Sequence, residues 1–264
     1  MTMETLNITR KENYALVQLS RGKANPVNHQ MVKDLSATFK SLQEEAEMKG
    51  VILTGTPNFF SAGLDVVELY DYDEDQMRSF MIDFGAMHVQ LSRFPKPMIC
   101  AIPGYCPAGG TVIAITADYR IMNEDPKFSI GLNEMKVNVQ ITTNLIEAYN
   151  YWLGTSLANR YILEGKLFTP PEALKVNLVD EICPADEVMV RAELKLQEFL
   201  QADSDIFGYT KSKLREKWHA GQELQGGSDL EQTLKVWWKP EIRAKIASLI
   251  ARFKNKKKGI NNYY

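Results

Sequence analysis

The chain has 264 residues, 45% hydrophobic and 24% charged, which is an ordinary globular composition with enough apolar material for one large core. Its formal net charge of -2 excludes the strong basic excess of a nucleic-acid binder. No run approaches the ~20 apolar residues that a bilayer-spanning helix needs, so no membrane role is expected.

The first residues, MTMETLNITRKENYALVQLS, have neither the apolar core of a signal peptide nor the acid-free arginine pattern of a transit peptide. A cytoplasmic protein is expected; a mitochondrial-matrix protein freed of its presequence would read the same. Residues 5–10 and 14–19 alternate apolar and polar around Lys11-Glu12-Asn13, which predicts a β-hairpin. Asn25-Pro26 marks a turn, and Asn28 is placed to cap a helix running to about Met48 and ended by Gly50. Val51–Thr54 reads as a buried strand, followed by the loop Asn58–Asp65 and an acidic surface connection at 71–75. A helix is predicted over 76–93, broken by Pro95 and Pro97, and Met98–Ile102 as a second buried strand. The loop Gly104–Gly110 leads into an apolar helix, Thr111–Thr116. Strands are predicted at Tyr119–Met122 and Phe128–Ile130, with Glu134 just beyond Gly131-Leu132-Asn133. Past residue 144 the pattern is helical, apart from a strand at Leu178–Ile182. Thr169-Pro170-Pro171-Glu172 opens a short helix, and amphipathic helices are expected over 186–202, 205–220 and 229–254.

Two glycine-containing loops each follow a buried strand and precede a helix. The N–H groups at a helix start lack intrahelical partners and carry partial positive charge. Glycine lets a ligand approach that backbone closely. Two such loops brought together would offer converging N–H donors to a developing oxyanion. Neither loop matches a phosphate-binding or dinucleotide fingerprint, and no G-x-S-x-G serine is present. His29, His88 and His219 are scattered and read as surface or packing residues, with no metal site. Cys100, Cys106 and Cys183 match no zinc spacing and suit a reducing compartment; Cys100 and Cys183 read as buried, Cys106 as a loop residue open to exposure.

The residues Phe60-Ser61-Ala62-Gly63-Leu64-Asp65 and Gly104-Tyr105-Cys106-Pro107-Ala108-Gly109-Gly110 resemble the two oxyanion loops of the crotonase, or enoyl-CoA hydratase/isomerase, superfamily. Asp118-Tyr119-Arg120-Ile121, Ile130-Gly131-Leu132-Asn133-Glu134, and Leu167–Leu174 with Val179-Asp180 follow in the family's order. The resemblance covers about residues 5–200, and the combination is similar to the mitochondrial-type Δ3,Δ2-enoyl-CoA isomerase branch.

The resemblance implies an α/β fold, the crotonase spiral of ββα turns over residues 1–200, with a C-terminal helical region at 201–264 used for trimerisation, and a homotrimer or hexamer. It implies an acyl-CoA thioester as substrate, with no separate cofactor because coenzyme A is part of that substrate. It further implies the N–H groups of Leu64 and Gly109 as oxyanion donors and Glu134 as the acid–base residue. Ala62, Gly63, Leu64, Asp65, Ala108, Gly109 and Asn133 are implied to line the substrate and CoA path. Hydratases of the family carry a second glutamate on the helix after the Gly-Gly pair. That position is Val112 here, with Thr111 and Ile113 beside it, which argues for a double-bond shift by one base.

Read without the family, Glu134 is a surface residue near a strand end, Asp65 a helix cap and Asp118 a buried hydrogen-bonding residue that fixes a turn. The lysines at 254 and 256–258 form a solvated tail. One of Lys211, Lys213 and Lys217 is a candidate contact for the CoA 3′-phosphate. The alternatives to an isomerase are a hydratase or another thioester lyase of the same fold, and a non-catalytic CoA-ester or RNA-binding member.

Overall fold

A computed structural model describes residues 3–223 and 226–260, with side chains described outside 221–228 and 253–260. The strands are β1 (Leu6–Arg10), β2 (Tyr14–Leu19), β3 (Gly50–Thr54), β4 (Asn58–Phe59), β5 (Met98–Ile102), β6 (Gly104–Pro107), β7 (Tyr119–Asn123), β8 (Ile130–Gly131) and β9 (Glu181–Cys183). The helices are α1 (His29–Glu44), α2 (Val66–Tyr70), α3 (Glu74–Ser92), α4 (Gly109–Ala114), α5 (Glu134–Val137), α6 (Thr143–Leu153), α7 (Thr155–Glu164), α8 (Pro170–Lys175), α9 (Val188–Phe199), α10 (Ser204–Leu214), α11 (Glu216–Glu223), α12 (Gly226–Trp237) and α13 (Pro240–Ile260).

Two sheets organise the first two-thirds. The large one has the order β1-β2-β3-β5-β7-β9, parallel apart from the β1–β2 hairpin; the small one has the order β4-β6-β8, all parallel. Three successive turns of chain, β3–β4, β5–β6 and β7–β8, each give one strand to each sheet before entering a helix. This is the expected spiral of ββα turns. The ends of the three short strands therefore lie side by side.

The unbroken apolar runs of β3 and β5 follow from burial on both faces. Val51, Leu53, Met98, Cys100 and Ile102 point into the main core, which also takes in the buried faces of α1 and α3. Ile52, Ile99 and Ala101 point the other way, onto Val188, Ala192 and Leu196, which recur every fourth residue along α9. Arg120, wholly buried, ties the sheet to the helices beyond it: it pairs with Asp180 at 2.7 Å and lies 3.7 Å from the centre of the Trp152 ring.

Several expected boundaries move. The Asn28 cap is present, its side chain accepting from Met31 N at 3.0 Å, but the helix stops at Glu44 and Gly50 opens β3 instead of ending α1. The two- to four-residue strands β4 and β6 fall inside segments read as loops, and the five-residue α2 fills the stretch between Asp65 and the acidic connection. The Asp73–Gln76 capping box starts α3 two residues early, inside the acidic connection. Helix α4 begins at Gly109, two residues before the expected Thr111. The last strand is Glu181–Cys183, three residues late, because Asp180 N is held by Arg120 O as the chain enters the sheet. The helix expected over 205–220 breaks at Arg215, and the one over 229–254 breaks before Pro240, which has no N–H to continue it. Cys106 is fully buried, since β6 is sandwiched between β4 and β8; Cys100 and Cys183 are buried as expected.

Candidate active site

The site grows from the ends of the three short strands. Asn58 pairs with Gly104, Phe59 with Tyr105, Cys106 with Ile130, and Pro107 with Gly131. Contact between the first two strands is so close that a Cβ at position 104 would fall 2.1 Å from Asn58 O, so only glycine fits. Leu64 follows the first short strand, Gly109 the second and Glu134 the third.

The first loop is held from one side. Val27 N donates to Gly63 O and Asp65 N donates to Val27 O, both at 2.8 Å. These bonds engage the residues on either side of Leu64 and leave its own N–H facing away from Val27. Ala62, which is exposed, donates its N–H to Ala24 O at 2.8 Å. Asp65 caps α2 by accepting from Glu68 N at 3.1 Å, and its carboxylate pairs with Arg21 at 2.7 Å. It is thus the helix cap that the sequence suggested and is committed to Arg21.

The second loop turns sharply at Ala108, whose φ is 48° and ψ -120°. A positive φ in a residue with a Cβ is costly, on the order of 1–3 kcal/mol, and persists only where surrounding structure enforces it. Here the turn delivers the Gly109 N–H at the start of α4. The two loops touch: a Cβ on Gly109 would lie 3.1 Å from Leu64 N, and one on Gly63 would lie 3.4 Å from Gly109 N. Among the described residues neither the Leu64 nor the Gly109 N–H meets a protein acceptor. The geometry therefore holds two adjacent free donors beside a cavity of about 310 Å³ that Leu64, Gly109, Val112 and Glu134 all line.

Glu134 opens α5 and is 7% exposed, not a surface residue. Its Oε2 has no hydrogen-bond partner. Burial pushes its carboxyl up from an ordinary 4.5 to about 7, against a smaller opposing pull from its own backbone N–H. Asn133, beside it, also has a buried, unpartnered side-chain oxygen. Val112 is 1% exposed and contributes only hydrocarbon to the cavity.

Three supporting residues escaped the sequence reading. Thr111 Oγ1 donates to Cys106 O and Gly131 O and accepts from Gly131 N at 2.8 Å, which locks the start of α4 to the strand that leads to Glu134. Tyr149, buried on α6, accepts from Leu132 N at 3.0 Å and steadies the same segment. His88 on α3 is buried and bonded through Nδ1 to Val112 O at 3.0 Å; burial pushes its ring down to about 4, so it is neutral. A threonine after Gly-Gly is the one local signal among these. The other two partners are distant in sequence.

Lys211 is not free for a phosphate: it is 7% exposed and bonded to Asp118 at 2.7 Å, beside Arg215 on the same carboxylate. Asp118 is the hydrogen-bonding residue the sequence suggested, accepting also from Met98 N at 2.8 Å, but it anchors α10 as well as a turn. Lys213 pairs with Glu216, and Lys217 is exposed. The lysines at 254 and 256–258 lie outside the described side chains. Among the described residues no three His, Cys, Asp or Glu side chains gather as a metal site, and no helix is long and apolar enough to cross a membrane.

Comparison with known proteins bears on the family and the fold. The enoyl-CoA delta isomerase 1, mitochondrial, of Rattus norvegicus is 30% identical over 254 residues, covering 95% of this chain and 88% of that protein. A probable enoyl-CoA hydratase of Mycobacterium bovis is 28% identical over 193 residues, covering 73% of this chain and 74% of that protein. The crystal structure of human mitochondrial delta3-delta2-enoyl-CoA isomerase superposes with a TM-score of 0.92 at 25% identity, over 96% of this chain and 100% of the other. The family model described as enoyl-CoA hydratase/isomerase matches residues 9–259, and the chain belongs to that family.

Proposed function

We propose that the protein is a Δ3,Δ2-enoyl-CoA isomerase that moves a 3,4 double bond into conjugation with the thioester, using Glu134 as its single acid–base group. The observation that carries this reading is the pairing of the buried, unpartnered Glu134 carboxylate with two free N–H donors at one cavity, whose other carboxylate, Asp229, is tied to Thr143 N at 2.7 Å.

The chemistry follows from acidity. A proton on C2 is both α to the thioester and allylic to the 3,4 double bond. Glu134 takes it; the C2–H bond breaks, C2=C3 forms, and the electrons of the old double bond reach C4 as Glu134 returns the proton there. In between, negative charge rests on the thioester oxygen, where the Leu64 and Gly109 N–H groups would stabilise it. Such donors are typically worth about 2.7–4 kcal/mol each in the transition state. Atoms and electrons balance without an oxidant or added water, so we propose no metal or redox cofactor. A base that must also act as an acid works best with a pKa near ambient pH, and the value of about 7 suits that double duty.

A hydratase is the competing reading, supported by the hydratase relative. Holding and activating a water is helped by a second carboxylate, and Val112 supplies none. The discriminating experiment is Glu134→Gln, assayed with a 3-enoyl-CoA. Turnover is expected to fall by at least two orders of magnitude with acyl-CoA binding nearly unchanged, in line with loss of a general base. Full turnover in that variant would mean that the proton shuttle is another group.

For the assembly we propose a homotrimer, with residues 201–264 contributing to the contact. Val190 and Leu194 on α9, with Ile206, Tyr209 and Leu214 on α10, are 55–67% exposed, which supports a subunit interface there. Sedimentation at several concentrations tests it. The relatives named as mitochondrial support a mitochondrial location as the alternative to the expected cytoplasmic one.

A further inference from the structure

Gly85 stands in the interior of the nineteen-residue helix α3, where glycine is the poorest helix former apart from proline. Elsewhere a reason for glycine is visible. At Gly55, Gly104 and Gly131 a Cβ would strike backbone within 2.5 Å, and at Gly22 and Gly154, where space is open, φ is 60° and 76°. Gly85 has neither reason: its φ is not positive, and a Cβ there would meet nothing within 4 Å. Among the glycines whose surroundings are described, it alone leaves space that no part of this chain fills and no backbone conformation demands.

That space belongs to the cavity that holds Glu134. Two stripes of α3 border it, Met81-Gly85-His88 and Ile82-Ala86-Val89, each at helical spacing of four and then three residues. The smallest residue of each stripe is its middle one, so the helix carries a notch between bulkier neighbours. The rest of the lining adds Leu145 and Leu230, beside the polar Asn144, Asp229 and Thr233.

Resting on the isomerase reading, we propose that this notch seats the part of the acyl chain beyond the reacting carbons, and that Gly85 makes the enzyme one for medium- and long-chain 3-enoyl-CoA esters. A four-carbon acyl group ends at C4, where Glu134 works, and has no atoms to place in the notch. A twelve-carbon chain has eight carbons to accommodate beyond it, and a side chain at position 85 would occupy the same volume. Losing or adding methylenes in such a pocket changes specificity by roughly 10–200-fold.

The test is the ratio of kcat/KM for 3-dodecenoyl-CoA to that for 3-hexenoyl-CoA, in the wild type, Gly85→Ala and Gly85→Leu. Both substitutions favour the helix, so the variants are expected to melt no lower than the wild type. The expected result is a fall in the ratio of about tenfold or more in Gly85→Leu, with a smaller fall in Gly85→Ala. An unchanged ratio would overturn the proposal. The same proteins are titrated by calorimetry with the saturated hexanoyl-CoA and dodecanoyl-CoA, which need no turnover. If no 3-enoyl-CoA is converted by the wild type, the isomerase reading fails. A selective loss of dodecanoyl-CoA affinity in Gly85→Leu would then still support the notch, and equal losses or none would refute it.

Discussion

The Glu134→Gln substitution has a consequence for stability as well as for rate. Glutamine has nearly the shape of the protonated carboxyl and never ionises. In the wild type the carboxyl is pushed from 4.5 to about 7 by burial, so the folded protein holds the proton more tightly than the unfolded chain. The stability this proton contributes is fully present below 4.5 and lost as pH rises through about 7. At about 1.4 kcal/mol per pH unit, ionised Glu134 costs the folded state about 3 kcal/mol at pH 8. Urea unfolding of both proteins at equal protein concentration, at pH 4.5 and pH 8, measures this directly. The stability of the variant minus that of the wild type should grow by about 3 kcal/mol between the two pH values. A difference that does not change with pH would refute the reasoning, because Glu134 would then ionise at the value of an exposed glutamate and the desolvation argument would fail. The same desolvation predicts that kcat/KM for the wild type loses its acidic limb near pH 7 and not near 4.5.

Thr111→Val keeps the shape but removes the hydroxyl that links Cys106 O, Gly131 O and Gly131 N. It removes a buried hydroxyl bridge while Gly131 N keeps its ladder bond to β6, so unfolding should become easier by roughly 0.5–1.5 kcal/mol. Because the hydroxyl fixes Gly109 relative to Glu134, kcat should also fall on the order of ten- to a hundredfold, measured at saturating 3-enoyl-CoA. Gly131→Ala forces a Cβ to within 2.4 Å of Lys166 O at a φ of 141°, and should lower stability by at least about 3 kcal/mol in a urea titration. Lys211→Met leaves Asp118 with only Arg215 as a charged partner. It should cost about 3 kcal/mol by the same titration while leaving the pH–rate profile in place, since the pair lies outside the cavity.

The parts of the molecule that were legible in the sequence are those with local signals. The hairpin alternation, the Asn28 cap, and the β-branched or apolar runs at β3 and β5 each state their structure within a few residues. The two glycine loops were legible as strand–glycine–helix junctions, and the family resemblance gave Glu134 its proposed role. Strands β4, β6 and β8 were not legible as a sheet, since two to four residues carry no periodicity and their partners lie 24 to 46 residues away. Cys106 was misread for the same reason: its burial comes from that sheet. Lys211 was read as a candidate phosphate contact because its partner, Asp118, is 93 residues distant. Buried pairs of this kind have no signature along the chain. The break between α12 and α13 was marked by Pro240, which an amphipathic pattern continuing across it concealed.

The central claim is that one carboxylate and two N–H donors shift a double bond without adding water. The most direct measurement supplies the purified protein with a medium-chain 3-enoyl-CoA and, separately, with crotonyl-CoA, and separates the products by chromatography. The account predicts 2-enoyl-CoA from the first with no 3-hydroxyacyl-CoA, and no hydration of the second. Hydration of crotonyl-CoA at a rate matching or exceeding the isomerisation would contradict it, because a cavity with Val112 in place of a second carboxylate would then be activating water.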